Sequence, residues 1–193
     1  GHGKRTPQMS WIDGVKAITF DLDGTLWDLE TVIRSSLASA LEEIANHDPR
    51  TASQLDVEGM MAIRNVVAKE PESAAMTLEE VRLEAFRRTL AAAGRPNDAL
   101  AERVNAVYFR HRFSGIQPYP DVRPALDALR HRYRIGVLTN GNSYPDRVGF
   151  GGVFDFAVLA QDHGVKKPDR RIFDIAAERA GCHRHELLHV GDD

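Results

Sequence analysis

The last third of the chain alternates between amphipathic stretches and short apolar runs, and this alternation limits the possible folds more than any other feature. Apolar residues three and four positions apart predict helices from Val122 to His131 and from about Pro168 to Gly181. Short runs rich in β-forming residues predict strands at "RIGVLT", "FDFAVLA" and "ELLHV". Strands that alternate with helices in this way predict a parallel α/β sheet, in which ligands bind beyond the carboxyl ends of the strands.

The first half of the chain has a different pattern. After the β-rich run "VKAITF" at residues 15–20, helical spacing of apolar residues continues from about Thr31 to Phe113, with about four helices and no strand candidate. Thr77 and Glu80 form the pattern of a capping box at the start of one of these helices. We therefore predict three parts: an N-terminal tail of residues 1–14, partly resembling an expression tag, an α/β core of residues 15–29 and 115–193, and a helical domain of residues 30–114.

Composition and charge exclude several classes of function. The 193 residues are 42% hydrophobic and 27% charged, which is enough for one domain with a core and an insertion. A net charge of -3 provides no electrostatic basis for binding nucleic acid or an anionic membrane. No apolar run approaches the roughly 18 residues of a membrane-spanning helix, and the single Cys182 excludes an internal disulfide. We expect a cytoplasmic protein.

Four groups of polar residues lie at the predicted strand ends or at a helix start. They are Asp21 and Asp23, Thr139-Asn140-Gly141, Lys167, and Asp192-Asp193. Because the carboxyl ends of neighbouring parallel strands share one edge of a sheet, we expect these groups to converge. Three converging acids would repel one another, and Mg²⁺, which prefers oxygen ligands, is the simplest compensation.

The motifs "DLDGTL", "TNG", "KKP" and "VGDD", in that order, resemble the four motifs of the haloacid dehalogenase superfamily. A D-x-D-G string alone is also compatible with a simple turn, but four motifs in order at strand ends or helix starts are specific. The resemblance extends from about residue 15 to the end of the sequence. It implies a Rossmann-like parallel core with an inserted all-helical cap domain, as in the first subfamily.

The resemblance also implies roles for the individual residues. Asp21 is expected to be the nucleophile that forms an aspartyl-phosphate, and Asp23 the acid that protonates the leaving oxygen and then activates water. Lys167 is expected to offset charge on the phosphoryl group. The remaining expected contacts are phosphate binding by Thr139, Asn140 and Gly141, and Mg²⁺ binding by Asp21, Asp23 and Asp192, with Asp193 as an auxiliary group.

The acid at position 23 narrows the expected reaction. Relatives that cleave carbon–halogen bonds typically lack this acid, and the related transport ATPases carry threonine there. We therefore expect a Mg²⁺-dependent phosphatase that acts on a small phosphorylated metabolite. The wording "TNGN" and "FGGVFDF" is similar to a bacterial branch of flavin mononucleotide and riboflavin-pathway phosphatases.

Two alternatives remain open, a sugar phosphomutase and a catalytically inactive binding module. The inactive module would apply if the protein truly ended at Asp193, since the family pattern continues beyond that point with another acid and further core elements. We expect instead that the sequence covers part of a longer protein and lacks those C-terminal elements.

Several conspicuous residues have a simpler expected role. Histidines such as His183, His185 and His189 lack a convincing metal-ligand spacing and are expected at the surface or in loops. Trp27 is expected to pack where the chain enters the helical domain. Arginines of the helical domain are expected on solvated helix faces, with one or two reaching a charged group of the substrate: Arg82, Arg87, Arg88, Arg103, Arg110 and Arg112.

Overall fold

The computed structural model describes residues 12–191, and it contains the predicted parallel sheet. The four strands are β1 (Ala17–Phe20), β2 (Arg134–Thr139), β3 (Phe156–Leu159) and β4 (Leu187–Val190). All neighbouring pairs are parallel, and the strand order is β3-β2-β1-β4. Every residue of β1 is buried, which explains why three of its four residues are apolar and why the strand does not alternate between buried and exposed positions.

Helices fill the chain between β1 and β2, and we call residues 29–114 the helical segment. Its helices are α1 (Leu29–His47), α2 (Pro49–Ala52), α3 (Val57–Ala68), α4 (Leu78–Ala92) and α5 (Asp98–Ser114), with a 3₁₀ turn at Pro71–Ala75. The four long helices match the sequence prediction. At the predicted start of α4, the Thr77 side chain accepts a hydrogen bond from the Glu80 N–H.

The helical segment has its own hydrophobic cluster, separate from those of the sheet. Leu37 and Ile44 of α1 pack there with Phe86 of α4 and Tyr108 of α5, and all four are almost fully buried. The assignment of this segment as a separate cap domain stays a prediction.

Two further helices, α6 (Val122–Arg130) and α7 (Arg170–Ala180), pack against the sheet. Helix α7 begins two residues after the predicted start at Pro168, because Asp169 acts as the N-cap and accepts a hydrogen bond from the Arg171 N–H. Its C-terminal end is as predicted, since Gly181 adopts a left-handed conformation with φ of 70°.

The sheet brings the carboxyl ends of β1 and β2 side by side. Phe20 of β1 pairs with Val137 of β2, so Asp21 and Thr139 both lie at the same edge. Asp192 and Asp193, which follow β4, lie outside the described residues. No helix within residues 12–191 is both long and apolar enough to cross a membrane.

Candidate active site

Asp21 lies directly after β1 and pairs with Lys167. Its backbone N–H donates to the Val190 carbonyl at 2.9 Å, which extends the β1–β4 pairing by one residue. Its Oδ2 atom lies 3.2 Å from Lys167 Nζ, and both side chains are at most 10% exposed. Its Oδ1 atom accepts the Leu22 N–H at 3.0 Å. The structure thus holds a buried carboxylate beside a cation that stabilises its charge.

Asn140 fixes the backbone at Lys167. Its Oδ1 atom accepts the Lys167 N–H at 2.8 Å, and its Nδ2 group donates to the Lys167 carbonyl at 3.1 Å. This paired contact joins the end of β2 to the loop before α7. The Asn140 side chain therefore positions the lysine, and phosphate binding by this residue stays a prediction.

His189 lies beside Lys167 on β4 and is half-buried, so it is not in a loop. Its Nε2 atom lies 3.2 Å from Lys167 Nζ, and its Nδ1 atom lies 2.9 Å from the hydroxyl of Thr19, which is fully buried. A charged lysine offers only hydrogens, so Nε2 accepts. The His189 proton therefore lies on Nδ1 and is donated to Thr19 Oγ1.

Asp23 is held by three side chains from different parts of the chain. Its Oδ1 atom accepts from Trp27 Nε1 at 2.9 Å, from Arg112 Nη2 at 2.9 Å and from Ser143 Oγ at 3.0 Å. The Ser143 hydroxyl also lies 3.1 Å from Oδ2. Trp27 is fully buried and its ring centroid lies 5.9 Å from that of Phe150, so its predicted packing role is confirmed. Within residues 12–191, Oδ2 has fewer partners than Oδ1 and is the oxygen better able to carry a proton.

Two arginines of the helical segment are buried, which contradicts their predicted place on solvated faces. Arg82 is 6% exposed and Arg112 is 4% exposed. Arg112 is buried because it pairs with Asp23, and Arg82 because its guanidinium lies over the Tyr108 ring, 4.4 Å from the centroid. Sequence spacing contained a signal: Arg112 follows Val104 and Tyr108 at intervals of four, on the buried face of α5.

Thr139 and Gly141 complete the edge of the sheet beside the two aspartates. Thr139 is 1% exposed, and its Oγ1 atom accepts the Gly141 N–H at 2.9 Å. A Cβ atom at Gly141 would lie only 2.7 Å from Asp23 Oδ2. Glycine, which has no Cβ atom, is therefore the one residue type that lets the backbone come this close to the carboxylate without a clash. Three of the four predicted polar groups therefore converge, and the fourth, Asp192-Asp193, lies outside the described residues.

A cleft of about 120 Å³ opens from Asp23 towards the helical segment. Its other lining residues are Leu29, Ile33, Arg64, Leu78, Arg82, Tyr108, Phe109, Arg112, Gly141 and Asn142. A larger cleft, of about 490 Å³, lies around His47, Leu90 and Arg103 and contains none of the predicted site residues.

The fold and site together define an α/β protein with a pair of carboxylates at the tip of a central parallel strand. Residues 15–193 match the family model described as "Hydrolase: haloacid dehalogenase-like hydrolase". The chain belongs to this family and is a hydrolase.

Curated relatives and solved structures agree with this assignment. The chain is 30% identical, over 184 residues, to the 5-amino-6-(5-phospho-D-ribitylamino)uracil phosphatase YigB of Escherichia coli (strain K12), covering 93% of this chain and 76% of the relative. It is 27% identical, over 187 residues, to the glyceraldehyde 3-phosphate phosphatase of Methanopyrus kandleri, covering 92% and 76%. The crystal structure of a 2-haloacid dehalogenase from Pseudomonas syringae pv. tomato DC3000 superposes with a TM-score of 0.77 at 33% identity, covering 93% and 78%.

The predicted metal ligands at this site would bind a metal ion through oxygen atoms. Phosphatases of this family typically use a divalent metal ion. Within residues 12–191, no three His, Cys, Asp or Glu side chains are grouped closely enough to hold one. Of the three predicted ligands, Asp21 and Asp23 lie within the described part, and oxygen donors of this kind fit Mg²⁺. The third predicted ligand, Asp192, lies beyond that part.

Proposed function

We propose that the protein is a Mg²⁺-dependent phosphatase that hydrolyses a small phosphorylated metabolite through an aspartyl-phosphate on Asp21. One observation carries the proposal: a buried carboxylate paired with Lys167 lies two residues before a second carboxylate that is held in place by hydrogen bonds. We assign the first as the nucleophile and the second as the acid. The phosphatase names of two relatives support the same reaction.

In the first step, an Asp21 carboxylate oxygen attacks phosphorus and forms a P–O bond while the bond to the ester oxygen breaks. Asp23 in its protonated form donates its Oδ2 proton to the leaving oxygen, which departs as an alcohol. Lys167, 3.2 Å from Asp21 Oδ2, offsets the negative charge of the transferred group. The Thr139 hydroxyl would donate a hydrogen bond to a phosphoryl oxygen.

In the second step, water attacks the phosphorus of the aspartyl-phosphate. The Asp23 carboxylate takes a proton from this water, the bond between Asp21 and phosphorus breaks, and inorganic phosphate leaves. Both aspartates return to their starting states. Asp21, the Asp23 backbone carbonyl and Asp192 would hold Mg²⁺, which neutralises negative charge on the phosphoryl oxygens when bound.

The similarity to a 2-haloacid dehalogenase structure favours a second candidate, hydrolysis of a carbon–halogen bond. A halide leaves as a stable anion and needs no proton, whereas an alkoxide leaving group does. An acid at Asp23, with its Oδ2 atom beside Gly141 at the edge of the sheet, is needed only for phosphate-ester hydrolysis, in which the leaving group is an alkoxide. Asp23 therefore favours phosphatase over dehalogenase.

A phosphate-release screen of the full-length protein tests the proposal. The first substrates are ribityl phosphates, flavin mononucleotide and triose phosphates, with 2-haloacids assayed in parallel for halide release. We expect equal amounts of phosphate and alcohol, complete loss of activity with EDTA, and recovery with added Mg²⁺. Asp21→Asn is expected to abolish turnover, and Asp23→Asn to lower kcat about 10²–10⁴-fold.

Asp98→Asn is the matched control, because its side chain lies on the surface of α5, 82% exposed, and it should keep full activity. Turnover that survives EDTA or Asp21→Asn would refute the mechanism. Halide release without phosphate release would establish the dehalogenase. An isomerised sugar phosphate without free phosphate would indicate a phosphomutase, and no turnover of any substrate would favour an inactive binding module.

A further inference from the structure

Three arginines from three helices line the cleft above Asp23. They are Arg64 of α3, Arg82 of α4 and Arg112 of α5. Within residues 12–191, only Arg112 of these three has a carboxylate within 4.0 Å, and that carboxylate is Asp23. The cleft lining therefore carries more positive charge than negative charge.

The charge on Arg82 is poorly compensated. Burial lowers the pKa of its guanidinium below the ordinary value, and the nearby charges of Arg64 and Arg112 act in the same direction, while Tyr108 partly opposes them. The Tyr108 ring provides a cation–π contact but no negative charge. Buried cations in proteins are normally paired, because an unpaired one loses hydration without replacement.

Arg112 has a buried hydrogen-bond donor without a partner. Its Nη2 group donates to Asp23 Oδ1 and to Ser143 Oγ, but its Nη1 group is buried and has no hydrogen-bond partner within the described residues. Buried donors in proteins almost always have a partner. The Arg112 Nη1 group is therefore available to donate to an oxygen atom of an anion, and such charge-assisted hydrogen bonds are strong.

We propose that the cleft between Arg82 and Arg112 binds a second oxyanion of the substrate, a carboxylate or a further phosphate group, at the end remote from the phosphoryl group transferred to Asp21. This inference rests on the proposed phosphatase function and names its substrate class. A volume of about 120 Å³ accommodates a group of a few non-hydrogen atoms. Leu29, Ile33 and Phe109 provide an apolar wall for the connecting carbons.

Matched substrate pairs test the inference. One pair is 2-phosphoglycolate and 2-hydroxyethyl phosphate, and a second is 1,3-propanediol bisphosphate and 1,3-propanediol monophosphate. We expect kcat/KM for the doubly anionic member of at least one pair to be at least about 10-fold higher, which corresponds to about 1.4 kcal/mol. The first pair reports on a carboxylate and the second on a phosphate.

Arg82 is the residue to change, because it does not contact Asp23. Arg82→Met is expected to remove the preference for the second anion, and Arg82→Lys to keep part of it. Arg110→Met is the control, since Arg110 is exposed on α5 two residues before Arg112. The preference is a ratio measured on one protein, so it is insensitive to a partial loss of folded protein. A preference unchanged in Arg82→Met overturns the inference.

Binding to the Asp21→Asn protein separates this inference from the proposed function. Calorimetric titration with 2-phosphoglycolate and 2-hydroxyethyl phosphate, and with the two propanediol phosphates, should show tighter binding of a dianionic member and loss of the difference when Arg82→Met is added. If this result holds while the wild-type protein releases no phosphate, only the proposed function fails. If phosphate is released but the paired ligands bind equally, or if none binds, the second-anion site is refuted.

Discussion

Removing the Arg112 guanidinium tests whether this residue neutralises a charged Asp23. The two groups are 2.9 Å apart, and the side chains are 5% and 10% exposed. Removal of one partner of a buried ion pair typically costs about 3–5 kcal/mol, because the other charge is left uncompensated. Trp27 and Ser143 continue to donate to Asp23, so for Arg112→Met we expect the lower limit, about 3 kcal/mol.

A double-mutant cycle with Asp23→Asn identifies the origin of this cost. Asparagine has nearly the same shape as aspartate but no charge, so Arg112→Met should cost at least about 1 kcal/mol less in the Asp23→Asn background. The free energies of unfolding of all four proteins are measured by urea denaturation. Arg110→Met, an exposed arginine on the same helix, should change stability by no more than about 0.5 kcal/mol. An equal cost of Arg112→Met in both backgrounds would show that lost packing, and not the charge of Asp23, explains it.

Substitutions at two further positions, Gly141 and His189, test contacts around the predicted site. Gly141→Ala places a Cβ atom 2.7 Å from Asp23 Oδ2, and the resulting displacement of the acid should lower kcat about 10²-fold in a steady-state phosphate-release assay. A normal kcat for this variant would show that the close approach has no catalytic importance. His189→Leu leaves the buried Thr19 hydroxyl without this hydrogen-bond donor and should lower the free energy of unfolding by about 1–3 kcal/mol, measured by urea denaturation, whereas His189→Gln, which keeps polar atoms there, should lower it less. Equal losses in the two His189 variants would contradict the inferred hydrogen bond.

The fold could be predicted because its signals are local. The run "RIGVLT" coincides with β2, and Gly181 ends α7 in the left-handed conformation that glycine favours. Each signal comes from a few neighbouring residues, and the parallel arrangement follows from the order of strands and helices. The convergence of Asp21, Thr139 and Lys167 was accessible for the same reason, since each follows or precedes a predictable element.

The partners of Asp23 could not be predicted in this way. Arg112 and Ser143 lie 89 and 120 residues from it along the chain, and neither belongs to one of the recognised motifs. Their contacts depend on how the helical segment packs on the sheet, which local periodicity does not determine. The position of Arg112 on the buried face of α5 indicates that it is not solvated, but not which group it meets.

Asp23 connects the two parts of the molecule. Trp27 reaches it from the loop after β1, Ser143 from the loop after β2, and Arg112 from the helical segment. Any motion of the helical segment away from the sheet would break the Arg112 contact and leave the other two in place. A substrate with a second oxyanion would bind Arg82 and Arg112 as well as the phosphoryl site, so it would hold the helical segment against the sheet. A singly anionic substrate lacks that second contact. Preference for a second anion would then appear in kcat as well as in KM, since substrate binding energy would be used to assemble the site around the acid.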